Sequence, residues 1–283
     1  MSRFAAVRPT RRWSLPVIAT LALVALAILP GHPSAVAAVR APAQPRPTIV
    51  LIHGAWADGS SWSGVIRRLQ HDGYTVDAPP NPLRNLMDDS ASVADYLATI
   101  AGPIVLVGHS YGGAVITNAA TGNANVKALV YIDAFIPDQG EQVLKLTAAQ
   151  PGSCLAVNPT TVFNAVPYPG APQGDVNLYI KPSVFLSCFA SGVNRQKAAL
   201  LAATQRPLTL SAGMAPSGVP AWKTIPSWSL IGTADEVIPP AEQRIMSQRA
   251  RAHITEIDAG HLSLVSHPEA VTDVIEQAAR ATQ

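Results

Sequence analysis

Gly108-His109-Ser110-Tyr111-Gly112 stands directly behind the apolar run Ile104-Val105-Leu106-Val107. A serine hydroxyl is a weak nucleophile at neutral pH, so it needs a base within hydrogen-bond reach and a third group to orient that base. Two later segments supply them: Gly232-Thr233-Ala234-Asp235 closes one apolar run, and Asp258-Ala259-Gly260-His261 follows another. Ser110 as nucleophile, His261 as general base and Asp235 as its orienting acid would together perform acyl transfer through a covalent intermediate. A strand turning straight into a helix leaves no room for a Cβ two positions either side of the serine, and Gly108 and Gly112 meet that need. The turn also leaves the Tyr111 N–H free at a helix N-terminus, where a developing oxyanion can use it.

Other residues compete for these roles. Glu236 adjoins Asp235 but faces differently, whereas Asp133 ends the run 126–132 and could also reach a histidine. Asp235 is assigned as the acid, with Asp133 the alternative. His53 and His109 adjoin turns from which their side chains point away from the serine. His71, His253 and His267 fall at helix ends or a strand start.

These residues require strands that end at one edge. The wholly apolar run at 104–107 and the largely apolar runs at 48–52 and 126–132 read as buried parallel strands, the sheet resumes at 226–231, and further strands fall at 74–78 and 254–257. Helices alternate with them at 60–72, capped by Ser60-Ser61-Trp62, then at 90–101, in the stretch directly behind the sharp strand-to-helix elbow at Ser110, at 239–251 and at 268–281. Strand, helix, strand, helix is the α/β rhythm. It fails between residues 137 and 222, where prolines, glycines and polar residues interrupt and only 194–203 reads as helix. This insertion between two sheet strands is expected to form a cap, with Phe163, Val166, Tyr168, Tyr179, Phe185 and Phe189 as candidate pocket residues.

Residues 1–37 read as a cleavable export signal. Arg3, Arg8, Arg11 and Arg12 precede an apolar run at 17–29, and Ala35-Val36-Ala37 forms an A-x-A site. Thr10-Arg11-Arg12-Trp13-Ser14-Leu15 also resembles a twin-arginine signal, with Ser14 where that pattern prefers an aromatic. The apolar run falls short of the roughly 18–20 residues of a spanning helix, so release is expected over a stable membrane anchor. Without this segment the formal charge drops by four, from +2 to −2, and no basic patch remains to bind nucleic acid. Residues 38–283 form one domain on this reading. Cys154 and Cys188, in an exported chain, are expected to pair; a loop of about 35 residues would stabilise by roughly 3–4 kcal/mol. No CxxC or neighbouring histidine offers a metal site, and the expected chemistry needs no cofactor.

The four motifs His53-Gly54-Ala55-Trp56, Gly108-His109-Ser110-Tyr111-Gly112-Gly113, Gly232-Thr233-Ala234-Asp235 and Asp258-Ala259-Gly260-His261 together resemble the α/β-hydrolase superfamily. They are most similar to its esterase and hydroxynitrile lyase branch, with the plant methyl esterases and their bacterial esterase relatives, over about residues 47–281. The resemblance implies a mostly parallel sheet with helices on both faces and a cap inserted after the sixth-strand position. It also implies that the turn at His53 gives the second oxyanion donor, the Ala55 N–H, with Gly54 admitting the substrate. The lyases of this branch carry threonine at the position of Gly54 and lysine after the catalytic histidine, where this chain has Leu262. Hydrolysis of a small-molecule carboxylic ester is therefore the leading expectation. Cyanohydrin cleavage and a non-catalytic ligand-binding role are the alternatives, and dehalogenation is disfavoured because it wants aspartate at the place of Ser110.

Overall fold

In the computed structural model, which describes residues 46–282, the strands are Thr48–Ile52 (β1), Val76–Asp77 (β2), Ile104–His109 (β3), Val126–Ile132 (β4), Phe163–Val166 (β5), Asn177–Ile180 (β6), Leu208–Thr209 (β7), Ser227–Gly232 (β8) and His253–Ile257 (β9). The export segment read at residues 1–37 lies outside the described residues. Six strands form one parallel sheet in the order β2-β1-β3-β4-β8-β9. Every residue of β3 and β8 is buried, which requires cover on both faces; β3 accordingly opens on an uninterrupted apolar run, while β8 buries Ser227 and Ser229 between its apolar residues. The register aligns the carboxyl ends: Ile52 pairs with Gly108, His109 with Ile132, Ile132 with Leu230, and Gly232 with Ile257. The turns that follow β1, β3, β4, β8 and β9 therefore open at one edge of the sheet, the position where open α/β sheets place their sites.

Helices Ser63–His71 (α1) and Pro268–Ala281 pack on each other, as do Leu86–Ala98 (α2) and Tyr111–Ala119 (α3). In Pro268–Ala281 the buried Val271, Val274, Ile275 and Ala278 follow helical spacing, which fixes the face it turns to the sheet. Several boundaries differ from the sequence reading. The expected strand 74–78 shrinks to β2 at the sheet's edge, with only one neighbour to pair with. Asp58, not Ser60 or Ser61, caps the turn leading into α1, its carboxylate accepting from the Ser60 N–H at 2.8 Å. α2 starts at Leu86, ahead of the expected residue 90, because the Asn85 side chain accepts from the Met87 N–H at 3.0 Å.

The insertion after β4, fourth of the sheet strands counted along the described chain, is more regular than its sequence suggests. β5, β6 and β7 form a separate antiparallel sheet, and helix Arg195–Ala203 is capped by Asn194. Cys154 and Cys188 are joined in a disulfide with Cα atoms 6.5 Å apart. Among the described residues no helix is long and apolar enough to cross a membrane.

Candidate active site

Ser110 follows the last residue of β3 and is the N-cap of α3, at φ 52° and ψ −123°, a conformation that a non-glycine residue holds only under the constraint of its surroundings. The constraints are visible. A Cβ on Gly108 would lie 2.5 Å from the Gly112 carbonyl oxygen, and one on Gly112 would collide with the Ile52 carbonyl. The elbow thus exists because strand, helix and neighbouring strand meet without side chains between them.

The turns after β8 and β9 bring the other two residues to it. Ser110 Oγ–H donates to His261 Nε2 at 2.9 Å, and His261 Nδ1–H donates to Asp235 Oδ2 at 2.9 Å. All three are buried. Asp235 accepts further bonds from the Val237 and Ile238 N–H groups at 2.7 and 3.0 Å and from the Gln243 amide at 2.7 Å, so its carboxylate is fixed while one oxygen faces the imidazole. Ala55 and Tyr111 line a cavity beside Ser110, and among the described residues neither backbone N–H has a hydrogen-bond partner. The cavity, of about 60 Å³, is bounded by Trp56, Phe135, Val143, Leu155, Phe163 and Val237 with no charged side chain.

A family model described as the alpha/beta hydrolase family matches residues 49–274. The chain belongs to the alpha/beta hydrolase family. A carbendazim hydrolyzing esterase of Nocardioides sp. (strain SG-4G) is 32% identical over 110 residues, 34% of this chain and 46% of that protein. A pyrethroid hydrolase of Sphingobium wenxiniae is 34% identical over 104 residues, 32% of this chain and 37% of that protein. The chain thus spans less than half the length of the curated relatives it matches. Among solved structures, polyneuridine aldehyde esterase has a TM-score of 0.70 at 19% identity, covering 82% of this chain and 99% of that one. A pyrethroid hydrolase from Sphingobium faniae JZ-2 has a TM-score of 0.65 at 23% identity, covering 83% and 98%.

Around the three residues, this alpha/beta hydrolase carries a layer of support, in which Gln243 and Asp89 are residues that sequence reasoning did not single out. Gln243, in the helix Pro240–Arg249, anchors Asp235. Asp89, wholly buried, accepts the Tyr111 hydroxyl at 2.8 Å and the Arg84 N–H. Burial and the Asp89 charge hold the Tyr111 phenol protonated, well above its ordinary range. His109 Nε2–H donates to the His261 carbonyl at 3.0 Å, and burial followed by the His261 charge pushes its pKa well below the usual range, so it braces the loop as a neutral ring. His53 donates from Nδ1 to the Gly54 carbonyl and accepts the Asn81 N–H at Nε2, which locks the turn carrying Ala55. The bare Cα of Gly54 faces Ser110: a Cβ there would lie 2.7 Å from Ser110 Cβ.

Asp133, the alternative acid, makes no bond to the imidazole. Its Oδ1 accepts the Gly232 N–H at 2.8 Å, and its Oδ2 accepts both the N–H and the hydroxyl of Ser263. It therefore clamps the turns that bear Asp235 and His261. Burial, then the neighbouring Asp235 charge, pushes its pKa up to about 7. Of the six aromatic and apolar candidates in the insertion, only Phe163 lines the cavity; Phe185 and Phe189 are buried, and Val166 is 42% exposed.

Proposed function

We propose that the chain is a serine hydrolase that cleaves small or medium carboxylic esters through an acyl-enzyme. The reading rests on one observation above all, the continuous buried line from Ser110 Oγ through the two ring nitrogens of His261 to Asp235. Ser110 attacks the ester carbonyl as His261 Nε2 takes its proton; the Asp235 carboxylate holds the ring's tautomer and stabilises the imidazolium. The Ala55 and Tyr111 N–H groups face the developing oxyanion. His261 then protonates the departing alcohol, and a water activated by the same nitrogen hydrolyses the acyl-serine.

The apolar wall supports a neutral substrate. Apart from Ser110 and Tyr111, its one polar side chain is Thr147, whose hydroxyl is already donated to the Val143 carbonyl. The esterase and pyrethroid hydrolase named above are similar in part of their length and support ester chemistry at the same level. Residues 137–222 serve as the cap on this proposal, and residues 1–37 as an export signal removed from an enzyme that works outside the cytoplasm. N-terminal sequencing of secreted protein tests that last point, and a start before residue 30 would refute it.

The function itself is tested by hydrolysis of p-nitrophenyl esters from acetate to decanoate by the wild type and Ser110→Ala. Serine-dependent turnover with a chain-length optimum is expected; a folded wild type that turns over none of them overturns the proposal.

A further inference from the structure

Phe185–Phe189, a π-helical turn of the insertion, reaches the site from a direction that the proposed chemistry leaves unused. Phe189 is 1% exposed, and its ring centroid lies 5.2 Å from that of His261 at an angle of 59°. Phe185, at 4.8 Å, and Trp56, edge-on at 5.6 Å, hold the Phe189 ring in turn. The residue before it, Cys188, is bridged to Cys154. Cys154 in turn is fastened to the acid turn: its N–H donates to the Glu236 carbonyl at 2.8 Å, and the adjoining Ser153 hydroxyl donates to the Val237 carbonyl at 2.8 Å. Val237 is the residue whose N–H holds Asp235. On the far side of the same turn, Ser191 packs against the loop of the histidine, where a Cβ on Gly260 would come within 2.6 Å of the Ser191 carbonyl oxygen. One covalent bridge therefore ties the segment bound to the Asp235 turn to the segment that sets an aromatic ring on His261.

We propose that Phe189 is a positioning residue for His261 and that the Cys154–Cys188 bridge holds it in place, so that full turnover requires the bridge to be oxidised. The inference rests on the reading of Ser110, His261 and Asp235 as a hydrolytic triad. An imidazole that shuttles a proton must stay within reach of two partners at once, and its bond to Asp235 alone leaves it free to tilt about that axis. The Phe189 ring, packed on the imidazole, limits that tilt together with the His109 ring at 4.8 Å. A bridge that merely restricts the unfolded chain would leave the folded site untouched. Here the bridge lies inside the support of the base. Reduction by a small dithiol breaks the S–S bond with two electrons and two protons, giving two cysteine thiols while the dithiol closes to its own disulfide.

The experiment compares the wild type, Phe189→Leu, the bridge-free Cys154→Ala/Cys188→Ala variant, the triple variant, and folded wild type reduced with dithiothreitol. Phe189→Leu and loss of the bridge are each expected to lower kcat about tenfold with KM nearly unchanged, and the triple variant to be no worse than either alone, because both remove the same support. A bridge-free protein that keeps wild-type kcat and loses only thermal stability overturns the proposal, as do losses that multiply in the triple variant. If the bridge-free variant does not fold, Phe189→Leu and the reduced wild type decide by the same criteria. The His261 ring proton shifts, read by NMR, supply a measure independent of turnover: the Phe189 ring current must vanish in Phe189→Leu and weaken when the bridge is opened. Unchanged shifts on opening it refute the positioning role. Absent ester turnover in a wild type with the expected shifts refutes only the hydrolase reading.

Discussion

Replacing Asp133 by asparagine separates the two roles that a carboxylate at this place could have. The side chain is fully buried, and its pKa is pushed from an ordinary 3.8 up to about 7 by burial and by the Asp235 charge. Between those two values the unfolded chain has released this proton while the folded chain retains it. The folded state then binds more protons, and its stability falls as the pH rises, by an amount on the order of 4 kcal/mol once the pH has passed 7. Asparagine cannot ionise, so it lacks that slope. It can still accept the Gly232 N–H, but its amide nitrogen then faces the Ser263 N–H, donor against donor. One orphaned buried donor costs about 1–3 kcal/mol at every pH.

The variant is therefore expected to melt below the wild type at pH 4.5, by several degrees at about 2–4 °C per kcal/mol for a domain of this size, and level with it or above it at pH 8.5. Calorimetry of both proteins across that range reads the difference directly. A difference that stays constant would mean that the Asp133 carboxyl titrates in its ordinary range and that the clamp carries no buried-charge cost. Turnover by Asp133→Asn should remain within about tenfold of wild type, since Asp133 does not touch His261 and the hydrogen bond to Asp235 is intact. Loss of turnover here with survival in Asp235→Asn would exchange the two assignments.

Asp235→Asn should lower kcat by roughly 10³–10⁴, because an amide nitrogen facing Nδ1 favours the wrong tautomer, and a fall of less than tenfold in the folded variant would contradict the role. Gly54→Thr would set a Cβ 2.7 Å from Ser110 Cβ and 2.9 Å from the His109 carbonyl oxygen, displacing the turn that carries the Ala55 N–H; a kcat loss of about 10²–10³ is expected, and unaltered kinetics would refute that donor's part. His53 titrates at about 4, lowered from 6.5 chiefly by burial, so the unfolded chain binds the proton first as the pH falls, and about 3 kcal/mol of stability drains away between pH 6.5 and 4. Its slope opposes that of Asp133 where the two windows overlap, so it is read from the difference between wild type and His53→Gln; a difference independent of pH would refute it.

The parts of the site that were legible in the sequence are those fixed by local constraint. β1 and β4 match the expected apolar runs, because a strand buried on both faces has no alternative to a short apolar stretch, and the elbow is written in Gly108 and Gly112 because backbone atoms fill the space of their side chains. Where a strand ends, the next residues lie at the sheet's edge, so Ser110, Asp235 and His261 could be read as neighbours before any contact was known. The illegible parts are made by packing between distant segments. β5 and β7 gain meaning only through β6, from which β5 is separated by a proline- and glycine-rich turn and β7 by a long helical segment; nothing local marks Gln243 or Asp89 as partners of the site, and Phe189, read as a pocket candidate, gives no local sign that it packs on His261.

The ambiguity between Asp133 and Asp235 has the same origin. Both follow strands of the parallel sheet, β4 and β8, which are neighbours, so either could stand at the edge where His261 arrives. Register divides them. With Ile132 level with Leu230, Asp133 follows its strand at once, and its carboxylate meets the Gly232 N–H while β8 is still in the sheet. Asp235 lies three residues beyond Gly232, where Val237, Ile238 and Gln243 bind the carboxylate and leave Oδ2 turned to the imidazole. One carboxylate holds the turns together and the other faces the His261 imidazole, a distinction set by how far each strand runs before it turns.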